Sequence, residues 1–202
     1  MPAPDGLDST ALASCAGVIV LGGEMGCHDA AEFPWLTDEV AVIQKAHEDQ
    51  IPVLGICLGG QLVAHALGGR VLAGACHEIG WFEAEVVMDD PLLGSPGESE
   101  QFLWHSDAFE APPGAEAIVA GKVPGRAPLA FRSGSSYGLQ FHPEVTEELV
   151  AGWVASDGGE LTELGVDGAE LVAVTARHDR HYHRQAQRIA EGFATLIASR
   201  HG

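Results

Sequence analysis

The order of apolar and polar positions predicts short buried strands alternating with helices. Residues 18–21 form a continuous apolar run, which is typical of a parallel strand that is buried on both faces. Apolar positions at helical spacing predict a helix from 34 to 50, which ends before Ile51-Pro52. Residues 53–56 predict a second interior strand, and 61–67 predict a helix closed by two glycines.

The second half of the chain predicts more strands and then helices. Strict alternation from 80 to 88 is typical of a half-exposed strand. A loop rich in Gly, Pro and Ser covers 91–99, and shorter strands are predicted at 101–105, 117–120, 129–132 and 137–141. Helices are predicted at 147–154 and 177–199, with a break at Asp157-Gly158-Gly159.

This succession of elements predicts an α/β fold with a parallel sheet and a small antiparallel section. Ligands in such sheets bind at the carboxyl ends of the strands. We divide the chain into an irregular lead-in at 1–17, a main domain at 18–155, and a helical extension at 156–202 that packs on the same domain.

The turn between the strand at 53–56 and the next helix carries candidate chemistry. Gly55-Ile56-Cys57-Leu58-Gly59 has the spacing of a G-x-S-x-G nucleophile elbow, with sulfur in place of oxygen. The glycines permit a strained turn, and the helix that follows presents free amides to the sulfur. Taken alone, the segment is equally compatible with a buried cysteine at a tight turn.

A matching base follows the last predicted core strand. His142 and Glu144 flank Pro143, and residues two apart in extended chain project to the same side. Such a pair can take a thiol proton and orient the imidazole ring. A histidine at a strand end is usually structural, so this signal gains its strength from the cysteine elbow.

These segments resemble the class I (triad-type) glutamine amidotransferases. The resemblance rests on the Cys57 elbow extended to Gln61, on His142-Pro143-Glu144, and on a glycine-rich loop within residues 18–26. It covers about residues 15 to 150. The nearest subgroup is the amidotransferase domain of GMP synthase and its stand-alone bacterial relatives. This resemblance implies a flavodoxin-like three-layer α/β/α fold with a mostly parallel sheet.

By the same resemblance, each site residue receives a role. Cys57 is the nucleophile, His142 the general base and acid, and Glu144 the orienting carboxylate. The amides of Gly23 and Leu58 form an oxyanion hole. The expected substrate-binding residues are Gln61, Gly80, Trp81, His105, Ser106 and Asp107.

The implied reaction is hydrolysis of the side-chain amide of glutamine, or of a γ-glutamyl amide, through a γ-glutamyl thioester with release of ammonia. A separate synthetase subunit could receive the ammonia, or the chain could act as a stand-alone hydrolase. The main alternative is a catalytically silent family member that serves as a binding or regulatory subunit. Ranked below these is a cysteine-elbow hydrolase or chaperone of the related α/β superfamily, because its members usually lack His-Pro-Glu.

Family members normally begin with a strand and helix ahead of the segment at residues 18–21. We therefore expect the first strand to be missing, which leaves an apolar edge on the strand at 18–21. A late start codon, a truncated product or a covering partner chain would each explain this. We favour the late start codon, and expect residues 1–202 to aggregate or form a homodimer.

Composition narrows the remaining classes of function. With 29 acidic and only 10 Lys and Arg residues, the net charge of −19 argues against nucleic-acid binding. No apolar run reaches membrane-spanning length and no signal peptide is recognisable, so we expect a cytoplasmic protein. The four cysteines show no zinc spacing, and we expect reduced thiols, no metal and no cofactor. The histidines near 178–183 lack a completing carboxylate or cysteine set.

Overall fold

The computed structural model of the chain describes residue 12 and residues 14–122 and 127–200, without the side chains of 179–181. Within that part the strands are β1 (Val18–Val20), β2 (Val53–Ile56), β3 (Arg70–Leu72), β4 (Glu78–Val86), β5 (Gly97–His105), β6 (Ala108–Glu110), β7 (Glu116–Gly121), β8 (Ala130–Ser133) and β9 (Ser136–Leu139). A seven-stranded sheet has the order β1-β2-β9-β8-β7-β4-β5, and β3 pairs with β6 in a small second sheet.

Helices cover both faces of the large sheet. They are α1 (Trp35–Glu48), α2 (Leu58–Ala66), α3 (Glu147–Ser156), α4 (Glu160–Leu164) and α5 (Gly168–Ser199). Val53 of β2 packs in one apolar core with α1 and α2, whereas the neighbouring Leu54 packs in another with Ile189 and Phe193 of α5. Because successive residues of a strand point to opposite faces, this arrangement makes three layers. No described helix is long and apolar enough to cross a membrane.

The sheet is mixed. β1, β2 and β9 run parallel to one another, whereas the four pairings from β9 through β8, β7 and β4 to β5 are antiparallel. The flavodoxin-like α/β class is confirmed, although the antiparallel section is larger than expected. A two-residue turn at Gly134 and Ser135 joins β8 directly to β9, which forces an antiparallel hairpin.

The edge strand β1 is less buried than its apolar sequence predicts. It hydrogen-bonds only to β2 in the described part of the chain, and the side chains of Ile19 and Leu21 are 56% and 63% exposed. The expectation of a fully buried strand at 18–21 is therefore wrong, because β1 lies at the end of the sheet. The expected association through this edge stays a prediction.

Helix α5 begins earlier than its predicted start at residue 177. Asp167 caps it, since the carboxylate accepts hydrogen bonds from the amides of Ala169 and Glu170. The added turns bury Leu171 and Thr175. They extend α5 over the apolar cluster that it forms with α3 and α4 next to β4 and β5.

Candidate active site

Cys57 lies at a sharp turn between β2 and α2. Its φ of 52° and ψ of −110° are strained for a residue with a side chain, and its amide donates a 2.8 Å hydrogen bond to the carbonyl oxygen of Leu139 in β9. Gly55 and Gly59 permit the tight turn, because a Cβ on Gly55 would lie 2.3 Å from the Gly59 oxygen. The backbone therefore holds the thiol at the carboxyl end of β2.

His142 lies beside this thiol and is supported by Glu144. Its amide donates to the carbonyl oxygen of Phe102 in β5 at 2.9 Å, and its Nδ1 lies 2.7 Å from Oε1 of Glu144. The imidazole is buried, whereas the carboxylate is partly exposed. The structure thus brings the three residues of the expected triad together as an acid–base chain.

The charge state of His142 follows from these contacts. Burial acts to lower the pKa of His142, but hydrogen bonds to Cys57 and Glu144 and the charges of both groups outweigh burial and raise the pKa to about 9 from 6.5. The ring is then protonated at neutral pH. An imidazolium in this position favours the thiolate form of Cys57, which is the nucleophilic form.

The glycine-rich loop after β1 covers the same thiol. A Cβ built on Gly22 would lie 3.1 Å from Cε1 of His142 and 3.5 Å from Cβ of Cys57, and one on Gly23 would lie 3.0 Å from the Leu58 side chain. Leu58 is the first residue of α2, so its amide has no partner within the helix. The two expected oxyanion-hole residues are therefore neighbours beside Cys57.

Three of the six expected substrate-binding residues converge on one carbonyl. The oxygen of Asp107 lies 3.2 Å from Nε2 of Gln61 and 2.8 Å from Nδ1 of His105. The Asp107 carboxylate accepts from the amide of Gly74, and the carbonyl of Ser106 accepts from the amide of Cys76. The segment from His105 to Asp107 is thereby held next to the first turn of α2.

Gly80 and Trp81 lie apart from this group. A Cβ on Gly80 would lie 3.6 Å from Leu171 of α5. The Trp81 ring stacks on His178 with centroids 4.3 Å apart, and its Nε1 donates to the Thr175 hydroxyl. The structure therefore places both residues against α5 rather than with Cys57, and their role in binding substrate stays a prediction.

Several side chains near the thiol were missed by sequence reasoning. The thiol of Cys57 donates to the carbonyl of Trp104 at 3.7 Å, and Nε2 of Gln140 donates to its sulfur at 3.9 Å. The Trp153 ring meets the edge of the His142 ring with centroids 5.0 Å apart. Gln140 could have been found, because it lies two residues before His142, whereas the position of Trp153 depends on how α3 packs.

A second group of chemically active side chains lies at the ends of β4 and β5. Ligand atoms of Cys76, Glu78 and His105 all lie within 4.8 Å of one another. This group was also missed, because sheet pairing rather than sequence spacing brings its members together. By contrast, burial and the carboxylates of Asp107 and Asp29 raise the pKa of Cys27 to about 11, which leaves that thiol unreactive.

The fold and this site agree with comparisons to known proteins. The chain matches the family model for glutamine amidotransferase class-I over residues 3–151, and it belongs to that family. The GMP synthase [glutamine-hydrolyzing] of Aquifex aeolicus is 35% identical over 132 residues, which are 64% of this chain and 24% of that protein. A stand-alone subunit of the GMP synthase [glutamine-hydrolyzing] of Haloarcula marismortui is 45% identical over 120 residues, 55% of this chain and 61% of that one.

Solved structures give the same result over more of the chain. A glutamine amidotransferase from Thermotoga maritima has a TM-score of 0.80 and 30% identity, covering 89% of this chain and 77% of that one. One from Methylobacillus flagellatus has a TM-score of 0.80 and 29% identity, covering 92% and 78%. The chain is homologous to the glutamine-hydrolysing domain of GMP synthases, and spans about a quarter of the length of such enzymes.

Proposed function

We propose that the chain hydrolyses the side-chain amide of glutamine, or of a γ-glutamyl amide, with Cys57 as nucleophile. One observation carries the proposal: a cysteine with positive φ at a strand-to-helix elbow adjoins a buried histidine that is 2.7 Å from a carboxylate. Structural histidines need no such alignment with a strained thiol. Family membership and the similarity to glutamine-hydrolysing proteins support the choice of substrate.

The first half of the reaction forms an acyl-enzyme. The Cys57 thiolate attacks the amide carbon of the substrate, and the carbonyl oxygen becomes an oxyanion that the amides of Gly23 and Leu58 stabilise. The His142 imidazolium then protonates the amide nitrogen as the carbon–nitrogen bond breaks. Ammonia leaves, and a γ-glutamyl thioester remains on Cys57.

The second half returns the enzyme to its starting state. Neutral His142 takes a proton from a water molecule that attacks the thioester carbon. The same backbone amides stabilise the second oxyanion. Its collapse breaks the carbon–sulfur bond, releases glutamate, and leaves the thiolate beside a protonated His142.

The ammonia has two possible destinations, namely water or a separate synthetase subunit. The name of the Haloarcula marismortui relative describes it as one subunit of a GMP synthase, which favours a separate synthetase partner. Transfer to such a partner would require docking near the carboxyl ends of β2 and β9. We include this partner in the proposal, with glutamine as the small-molecule ligand.

Two linked measurements test the proposed chemistry. The first is release of ammonia and glutamate from glutamine, for which we expect Cys57→Ala to abolish turnover. The second is labelling by a chloroketone analogue of glutamine, followed by peptide mapping, for which we expect the label on Cys57. Cys15→Ala is the matched control, because Cys15 precedes β1 and is also a reduced cysteine.

Turnover that survives in Cys57→Ala, or a label on another cysteine, would contradict the assignment of the nucleophile. A protein that neither turns over glutamine nor takes the label would favour the alternative of a silent binding protein. Activity lost equally in Cys15→Ala would show that the effect is structural.

A further inference from the structure

The pairing of β4 with β5 brings three potential metal ligands to one place. Glu78 and His105 are direct partners across these antiparallel strands, so their side chains leave the same face of the sheet. Cys76 lies two residues before Glu78, and its amide continues the pairing by donating to the carbonyl of Ser106. Strand alternation therefore places the thiol on the same face as the other two groups.

The hydrogen bonds of His105 leave one ring nitrogen ready for a ligand. Nδ1 lies 2.8 Å from the carbonyl oxygen of Asp107, and a carbonyl can only accept, so Nδ1 carries the proton. Nε2 then holds the lone pair. The side chain is 3% exposed, and Nε2 makes no hydrogen bond to any residue that the structure describes.

This lone pair points toward other electron donors. Nε2 lies 3.2 Å from Oε2 of Glu78 but outside hydrogen-bond geometry, and the Cys76 sulfur lies 3.7 Å from Nδ1 of the same ring. A cation between nitrogen, oxygen and sulfur could accept electron pairs from all three. The bond from Nδ1 to a backbone carbonyl is also the contact that commonly orients a metal-binding histidine.

We propose that Cys76, Glu78 and His105 form a binding site for a divalent transition metal of the Zn²⁺ class. Thiolate, imidazole and carboxylate together match the ligand preferences of Zn²⁺, which takes four ligands in a tetrahedron at about 2.0–2.3 Å. Ligand atoms around such an ion lie roughly 3–4 Å apart. The three groups are already within 4.8 Å, so shifts of about 1 Å would complete the geometry.

Space for a fourth ligand is present. A cavity of about 250 Å³ is lined by all three residues and also by Leu103 and Gln140. Its walls are mainly apolar next to the cluster, which strengthens electrostatic attraction to a cation. Water or a small anionic ligand could therefore complete the coordination from the cavity.

The proposed metal site adjoins the candidate active site but does not depend on its chemistry. Trp104, which accepts a hydrogen bond from Cys57, is the residue before His105. Metal bound at Cys76 would hold the segment from His105 to Asp107 against the β3–β4 connection. Binding can be measured in a protein that has no active thiol, so the two proposals can fail separately.

The test is a titration of the reduced Cys57→Ala protein with Co²⁺, followed by absorbance. Removing the catalytic thiol ensures that it cannot supply the signal. We expect one equivalent of Co²⁺ to give a thiolate-to-metal charge-transfer band in the near ultraviolet, and Zn²⁺ to displace it. Adding Cys76→Ser should remove the band, whereas adding Cys15→Ala should leave it intact.

A second variant separates ligand loss from misfolding. Glu78→Gln keeps the thiol and the side-chain size, and should weaken Co²⁺ and Zn²⁺ binding by at least about 10-fold, the smaller end of what losing even an outer-sphere partner costs. Circular dichroism of each metal-free variant checks the fold. Absence of the band, its persistence in Cys76→Ser, or unchanged affinity in Glu78→Gln would overturn the metal site.

Discussion

At the scale of single residues, His142 shows how a buried ring keeps its proton. Burial alone would favour the neutral imidazole, but the carboxylate of Glu144 and the sulfur of Cys57 contact it from two sides. A histidine held in this way can serve as the acid that the departing ammonia requires. The carboxylate therefore affects the pH range of catalysis as well as the orientation of the ring.

We predict that Glu144→Gln lowers glutamine hydrolysis by up to about 10⁴-fold at neutral pH. Loss of the carboxylate charge lowers the pKa of His142 from its value of about 9, so the proton is lost at lower pH. The alkaline limb of kcat/KM should therefore move to lower pH. Profiles of both proteins with the same substrate give the measurement, because the ionisation of glutamine is then common to both.

An alkaline limb at the same pH in both proteins would contradict this role of Glu144. Glu148→Gln is a suitable control, since Glu148 lies in the first turn of the neighbouring helix α3. It should leave the limb unchanged.

The residue roles that sequence predicts best are those tied to backbone constraints. The elbow at Cys57 could be located because glycine spacing and a strand-to-helix change are local properties. Trp81 is different, because alternation along β4 separates two faces without showing which one meets the site. The structure shows that this face meets α5, where Trp81 contacts His178 and Tyr182.

At the scale of elements, the site depends on how closely α2 approaches the sheet. Glycines in its first turn contact backbone on both sides: a Cβ on Gly59 would lie 2.1 Å from the Val20 oxygen of β1, and one on Gly60 would lie 2.5 Å from the Leu139 oxygen of β9. The amide of Leu58 is therefore positioned by contact between backbones. Larger residues would move the helix and the oxyanion hole together.

We predict that Gly59→Ala lowers the free energy of unfolding by about 1–3 kcal/mol or more, because neither backbone segment can yield easily. It should also reduce kcat through displacement of the Leu58 amide. Gly152→Ala is the matched control in α3, since nothing lies within 4 Å of a Cβ there. The control should instead stabilise the protein by about 0.5–1 kcal/mol.

Urea unfolding of the three proteins measures both effects. A Gly59→Ala protein as stable and active as the parent would show that α2 can shift without consequence. The comparison also tests whether the close approach of α2 contributes more than its intrinsic helix propensity.

Elements differ in how well sequence predicts them. Helix α1 and strands β2, β4 and β9 follow from local periodicity, because each buries one regular pattern. The strands β3 and β6 were missed, since each has only three residues and exists through pairing with the other. The start of β5 at Gly97 was assigned to a loop, because Gly, Pro and Ser are common there and only pairing with β4 orders it.

At the scale of the whole molecule, the excess of acidic residues is the main long-range force. The chain has 29 Asp and Glu but only 10 Lys and Arg, for a net charge of −19. Some acidic groups are paired, as Glu116 is with Arg132 and Glu110 with Arg70. Exposed pairs of this kind contribute at most about 1 kcal/mol each, so repulsion among the remaining carboxylates opposes the compact state.

We therefore predict that added salt stabilises the protein at neutral pH. Raising the ionic strength from about 0.01 to 1 M shortens the screening length from about 30 to 3 Å, which weakens repulsion between distant carboxylates. Each kcal/mol of relief should raise the melting temperature by about 2–4 °C for a chain of this length. Melting followed by circular dichroism in NaCl gives the measurement, and a melting temperature that falls with NaCl would show instead that attractive ion pairs dominate.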